Sequence, residues 1–331
     1  METKITTKRL SKWVTIAVVL LFISSLGAWF FGRDTMPRVI RVGTGEEGGL
    51  YQKIGEAIQA GLENRVSSKV IIESTEGSLD NYQKVLEGEM ELGIVQGGSV
   101  PLQQLSVVTP LFPDYVFVIV RKDGPIKAIP DLVGHQISLG LPGSGSRISA
   151  LQVLAHFDIQ ADDLGNRKNY FTELLVDPDL DGAIMTTGIG NPDLRKLLST
   201  NQFILLPVLN AEAIELAHPF FHTAEIPSGF FGERVSIPKE PTVTVTTNAF
   251  LVARDSASRE MIREILAVIH EGNLKMDVPT LISRDDVNSR ISTQLHPAAL
   301  EYFNPSDNIG WLREILESMN SAKELIVALG T

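Results

Sequence analysis

Gly140-Leu-Pro-Gly-Ser-Gly-Ser-Arg147 carries the strongest signal in this chain of 331 residues. The apolar segment 137–141 runs into it and reads as a strand. Residues 148–157 run out of it and read as an amphipathic helix. Glycines allow a sharp turn and a close approach of backbone to a ligand. A helix start adds unpaired N–H groups and the positive end of the helix dipole. Ser144 and Ser146 contribute hydroxyls, and Arg147 a planar, two-pronged cation. This strand–loop–helix predicts an anion pocket suited to a carboxylate, with no group in the loop that performs chemistry. The alternative is a plain Gly/Ser turn before a helix, and the rest of the chain weighs against it.

Composition narrows the function classes. Apolar residues make up 44% and charged residues 21%, the balance of a folded body large enough for two lobes. The net charge of −11 argues against a nucleic-acid partner. There is no cysteine, which excludes disulfides, thiolate catalysis and cysteine-ligated metal. Lys4, Lys8, Arg9 and Lys12 precede an uncharged apolar run over residues 13–31. Residues 1–12 read as a cytoplasmic n-region and 13–31 as a transmembrane anchor or a signal peptide, with the body outside the cytoplasmic membrane. The long apolar core and the Trp29-Phe30-Phe31 edge favour the anchor; Ser25-Leu-Gly-Ala28 is a passable cleavage site.

Along the body, strands are expected at 39–42, 70–72 and 92–95. A helix after Leu50 carries Ile54, Ile58 and Leu62 on one face, and a second helix spans 80–87. This β-α-β-α-β alternation implies a parallel sheet with helices on both faces. Further strands are expected at 115–120, 137–141, 174–176, 182–185, 203–206 and 242–253. Helices are expected after Pro192, at 259–270, within 277–290 and at 310–329. The long β runs near 115–120 and 243–252 bracket the middle third. The expectation is an α/β chain that leaves lobe one (38–120 plus 243–331), builds lobe two (121–242) and returns through a hinge, with a ligand cleft between the lobes.

Other motifs are weighed against this frame. Gly43-x-Gly45-x-x-Gly48, with Glu73 after the next strand, fits a dinucleotide fingerprint. Export and the repulsion of a pyrophosphate by Glu46 and Glu47 count against it. Ser78 and Asn81 flank a helix start, as cap or as ligand donors. Gln96 lies just past the third strand, where open α/β sheets hold ligands. Tyr51 reads equally as core or as pocket wall. His218-x-x-x-His222 is interrupted by Pro219 and has no accompanying Glu, so no metal site and no catalytic constellation are expected, and no cofactor.

Several segments, taken in order, carry a resemblance. They are Val42-Gly-Thr-Gly…Gly48-Gly-Leu-Tyr51, Glu73-Ser-Thr-Glu-Gly-Ser78…Asn81, Leu86-Glu-Gly-Glu-Met-Glu-Leu-Gly-Ile-Val-Gln96, Leu139-Gly-Leu-Pro-Gly-Ser-Gly-Ser-Arg147, Thr187-Gly188…Asn191-Pro192 and His296-Pro-Ala-Ala-Leu-Glu-Tyr302. Over residues 38–303 the chain resembles the TAXI family of TRAP-transporter solute-binding proteins. The resemblance implies a two-lobed type II periplasmic-binding fold with a hinge. It implies capture of a small organic anion or amino acid, glutamate-like or dicarboxylate, and delivery to TRAP membrane subunits. The pocket it implies draws on Thr44, Gly45, Tyr51, Ser78, Asn81, Gln96, Ser144, Gly145, Ser146, Arg147, Thr187 and Gly188, with Arg147 gripping a carboxylate. A membrane-anchored ligand sensor on the same fold is the alternative. The chain departs from the family pattern at Glu46 and Glu47, in a loop that is usually neutral. Acids there suit a solute with an ammonium group, or repel a dianion.

Overall fold

A computed structural model describes residues 18–24, 36–63, 65–232, 235–291 and 293–305. Residues 18–24 form a helical segment. Among the described residues no helix is long and apolar enough to cross a membrane. The rest of the 13–31 run and the helix expected at 310–329 lie outside the described residues.

The body is built on one mixed sheet. Strand β1 (Val39–Gly43) pairs in parallel with β2 (Lys69–Glu73) and β3 (Leu92–Gln96). Helix α1 (Leu50–Leu62) connects β1 to β2, and α2 (Ser78–Glu87) connects β2 to β3. Two long strands extend this sheet. β10 (Thr242–Ala253) lies antiparallel between β3 and β4 (Ser106–Arg121), so the order runs β2-β1-β3-β10-β4. The second half of β4 then pairs with β7 (Gly182–Gly188), and β7 continues through β5 (Gln136–Ser138) to β6 (Gly165–Arg167). β8 (Phe203–Leu206) joins the end of β4, and β9 (His222–Ile226) joins the start of β10.

β4 and β10 therefore serve both halves of the molecule. Residues 249–253 of β10 pair with β3, while residues 242–246 pair with β9. The result is a two-lobed α/β architecture whose lobes share a pair of crossing strands. Around the second lobe stand α3 (Gly145–His156), α4 (Pro192–Ser199) and α5 (Ala211–Ala217). The first lobe is completed by α6 (Arg259–Glu271), the short α7 (Leu274–Asp277) and α8 (Pro297–Phe303).

The two-residue period of a strand explains the core of the second lobe. Val116, Val118 and Val120 of β4 pack with Ile137, Leu154 and Ile184 on one face. Phe117 and Ile119 pack with Phe171, Leu197, Phe203 and Phe231 on the other. The lobe is thus a sheet with an apolar core on each side, which is why this stretch of β4 reads as a continuous apolar run.

Four expectations are corrected here. β4 begins at Ser106, well before residue 115, because Pro110 and Pro113 sit beside register shifts and do not end the strand. Residues 174–176 are not a strand; Phe171–Leu175 is a 3-10 turn that buries Phe171 and Leu174 and leaves Val176 exposed. The helix expected within 277–290 is the 3-10 segment Arg284–Arg290. The helix expected from residue 148 starts at Gly145, capped by Ser144 Oγ accepting from Arg147 N at 3.2 Å.

Phe117 is fully buried, edge-on to Phe231 at 5.9 Å between ring centroids. Phe117→Ala should lower unfolding free energy by about 3–5 kcal/mol, the range for emptying an aromatic core position. Urea denaturation followed by circular dichroism measures it.

Candidate functional site

A cavity of about 120 Å³ lies where the first turns of α2 and α3 face each other. From the first lobe it is lined by Thr44, Gly45, Glu46, Tyr51, Glu76, Ser78 and Gln96. From the second it is lined by Ser144, Gly145, Ser146, Tyr170, Thr186 and Thr187. The volume is below the roughly 300–1,000 Å³ of pockets for drug-sized molecules, so it suits a small solute.

Hydrogen bonds already join the two sides. Leu79 N donates to Gly143 O at 3.2 Å. Gln96 Nε2 donates to Gly145 O at 3.1 Å and to Ser149 Oγ. The approach is so close that a side chain could not fit at two positions. A Cβ on Gly145 would meet Gln96 Cβ at 2.7 Å and Ser78 Oγ at 2.9 Å. A Cβ on Gly77, whose φ is +115°, would meet Ser144 Cα at 3.1 Å. Two helix N-termini thus converge on one cavity, and the first N–H groups of each lack intrahelical acceptors.

The expected residues fall into two groups. Thr44, Gly45, Tyr51, Ser78, Gln96, Ser144, Gly145, Ser146 and Thr187 line the cavity. Asn81, Arg147 and Gly188 are not among its lining residues. Asn81 is fully buried, its Nδ2 donating to Thr44 O at 3.1 Å and to Ile94 O at 2.7 Å, so it ties the glycine loop to β3. Gly188 packs where a Cβ would meet Leu50 Cδ2 at 2.4 Å. Arg147 Nη1 donates to Asn166 Oδ1 at 3.0 Å and to Gly140 O at 3.4 Å. The cause is helical geometry. With α3 starting at Gly145, Arg147 stands about 200° around the helix from Gly145, which faces the cleft. Its guanidinium braces the Gly140 turn.

Most of the serine hydroxyls are also committed. Ser78 Oγ accepts from Gln96 N at 3.0 Å. Ser146 Oγ donates to Thr186 O at 2.9 Å and accepts from Thr186 N at 3.1 Å. Thr187 Oγ1 accepts from Asn191 Nδ2 at 3.1 Å. By contrast Thr186 Oγ1 is buried in the cavity lining without a hydrogen-bond partner among the described residues. Thr186, Tyr170, Glu46 and Glu76 were not among the expected residues. Glu46 was conspicuous in sequence as an acid in a glycine loop; Tyr170 gave no local signal, because a turn after β6 brings it in.

Electrostatics at the cavity are acidic. Glu46 stands at the rim with its carboxyl raised to about 7, first by partial removal from water and then by the nearby Asp193. Burial, and then the charge of Glu46, raise the Tyr170 phenol. Beneath the cavity, Tyr51 OH donates to Asp114 Oδ2 at 2.5 Å, and its ring sits edge-on to Phe112. Asp114 is fully buried on β4, and its Oδ1 has no partner among the described residues. Burial lifts its carboxyl from 3.8 to about 7, against the lowering effect of the Tyr51 hydrogen bond.

The crossing strands, the shared sheet and the cleft between lobes define the architecture of the periplasmic binding proteins. The chain belongs to the NMT1-like family, which it matches over residues 42–305. Among solved structures it is similar to a protein of Bordetella bronchiseptica RB50, at 13% identity and a TM-score of 0.50, covering 80% of this chain and 77% of that one. It is also similar to the periplasmic aliphatic sulphonate binding protein SsuA of Escherichia coli (16% identity, TM-score 0.47, covering 74% and 76%). A third similar structure is an ABC uptake transporter substrate binding protein of Streptococcus pneumoniae with bound histidine (13% identity, TM-score 0.48, covering 70% and 85%).

The raised Asp114 carboxyl has a signed consequence. Above about pH 4 the unfolded chain has released this proton while the folded chain keeps it. The associated stability is complete below pH 4, is lost as pH rises towards 7, and levels off above. Relative to Asp114→Asn, which does not titrate, the wild type should lose a few kcal/mol across that window. Urea titrations at intervals from pH 4 to pH 8 measure it.

Proposed function

We propose that this protein is an extracytoplasmic solute-binding receptor that captures a small organic anion or amino acid and delivers it to TRAP-type membrane subunits. The observation that carries this reading is the cavity bridged by direct hydrogen bonds between the two lobes, at the meeting point of two helix N-termini. A helix start stabilises an anion without a counter-ion, through N–H groups and the dipole. The glutamate-like or dicarboxylate solute places its carboxylate against the start of α3, at Gly145 and Ser146. Thr44, Gly45, Tyr51, Ser78 and Gln96 close on it from lobe one (38–120 plus 243–331). Ser144 and Thr187 face it from lobe two (121–242). Asn81, Arg147 and Gly188 hold these groups in place from behind.

Capture is conformational. The contacts that bridge the cleft exist only when the lobes meet, so a solute that touches both sides favours the closed state by its extra contacts there. β4 and β10 are the segments that bend. The basic residues before the apolar run at 13–31 support an extracytoplasmic body, with residues 13–31 as its membrane anchor or signal segment.

Calorimetry and thermal unfolding of the purified full chain against organic acids and amino acids test the reading. A binding solute should raise the melting temperature in proportion to its occupancy. Gly145→Val should weaken that solute at least tenfold by holding the lobes apart, while Arg147→Ala should change its affinity less than tenfold. The absence of any thermal shift across the panel would overturn the receptor reading.

A further inference from the structure

The cavity is one-sided in charge. Glu46 and Glu76 stand among its described lining residues, and no Lys, Arg or His does. The nearest cation by sequence, Arg147, is engaged with Asn166 and Gly140. Asp193 lies close enough to Glu46 to disfavour its ionised form, so a second acid faces the same rim. No ion pair joins Glu46 to a base among the described residues. Glu46 is exposed at this rim and ionises above about pH 7, so its carboxylate is open to a cation that enters the cavity.

The neighbouring surfaces suit such a charge. Tyr170 lines the same cavity near Glu46 and offers an aromatic ring, and aromatic faces attract cations. The helix starts at Ser78 and Gly145 supply the opposite polarity on the other part of the wall. Thr186 is 6% exposed, and its buried Oγ1 lies in this wall with no partner among the described residues, free for a polar group of a ligand.

We propose that Glu46 is the specificity-determining residue of the cleft, selecting solutes that carry a cationic nitrogen as well as a carboxylate and turning away simple dicarboxylates. This rests on the receptor reading above. The solute lies with its carboxylate at the start of α3 and its ammonium group at Glu46, beside Tyr170. A dicarboxylate of the same length brings its second negative charge to the acidic rim, where nothing neutralises it.

Matched pairs that differ only in the ammonium group test this: glutamate against glutarate, aspartate against succinate, and norvaline against pentanoate. Each is titrated by calorimetry into the full chain at pH 8, where Glu46 is ionised. In every pair that binds, the amino acid should bind at least tenfold more tightly. Glu46→Gln and Glu46→Ala should reduce that margin to less than threefold. Glu56→Gln, at an exposed position on α1, should leave it unchanged. Circular dichroism melting confirms that each variant is folded. Equal or tighter binding of the deaminated partner overturns the selectivity while leaving the receptor standing. A margin that survives both Glu46 variants removes Glu46 as its source. If no member of any pair binds, the receptor reading falls together with this inference.

Discussion

β4 and β10 are hydrogen bonded to each other, antiparallel, in the middle of the sheet, and neither belongs to one lobe alone. Thr246 faces Tyr115 in this ladder, and Leu251 faces Thr109. On one side β10 completes the sheet of β1, β2 and β3; on the other β4 opens the sheet of β7, β5 and β6. The register shifts between Asn248 and Phe250, and between Leu251 and Val252, fall inside this shared ladder. Irregular steps of this kind bend a strand and increase its twist.

Tyr51 connects the cleft to that ladder. Its ring lines the cavity while its hydroxyl holds Asp114, the fully buried acid of β4 opposite Thr247 and Gly188. Tyr51 thus stands between the cavity and a side chain seated where the two halves meet. The cavity wall combines this neutral contact with two polarities: donor-rich helix starts at Ser78 and Gly145, and carboxylates at Glu46 and Glu76.

The first lobe was readable from spacing alone. Ile54, Ile58 and Leu62 at helical intervals, and short Val/Ile runs between glycines, leave little alternative to a parallel sheet. β10 announced itself by alternating Val243, Val245 and Thr residues. β4 was half hidden, because Pro110 and Pro113 read as breaks and only the pairing with β10 shows how they are accommodated. β9, with the sequence His-Thr-Ala-Glu-Ile, alternates only weakly, with Ala224 and Ile226 inward, and pairs along the edge that β10 offers. In the site, the Gly140–Arg147 loop was found through its glycines and serines. The direction of Arg147 was not, since it depends on the turn at which α3 begins. Thr186 and Tyr170 come from distant strands and turns, and only the closed topology brings them to the same wall.

Inserting the second lobe between β4 and β10 also sets an order of events during synthesis. Gly97 and Thr247, bonded in the folded chain, are 150 residues apart. As the chain leaves the ribosome, β3 has its partner β1 early, but its other edge stays bare until β10 emerges. An open strand edge is a template for unwanted pairing, and such long-range contacts form slowly. Until β10 has paired with it, β3 keeps an open edge, so completion of this shared ladder is the step that closes the first lobe's sheet.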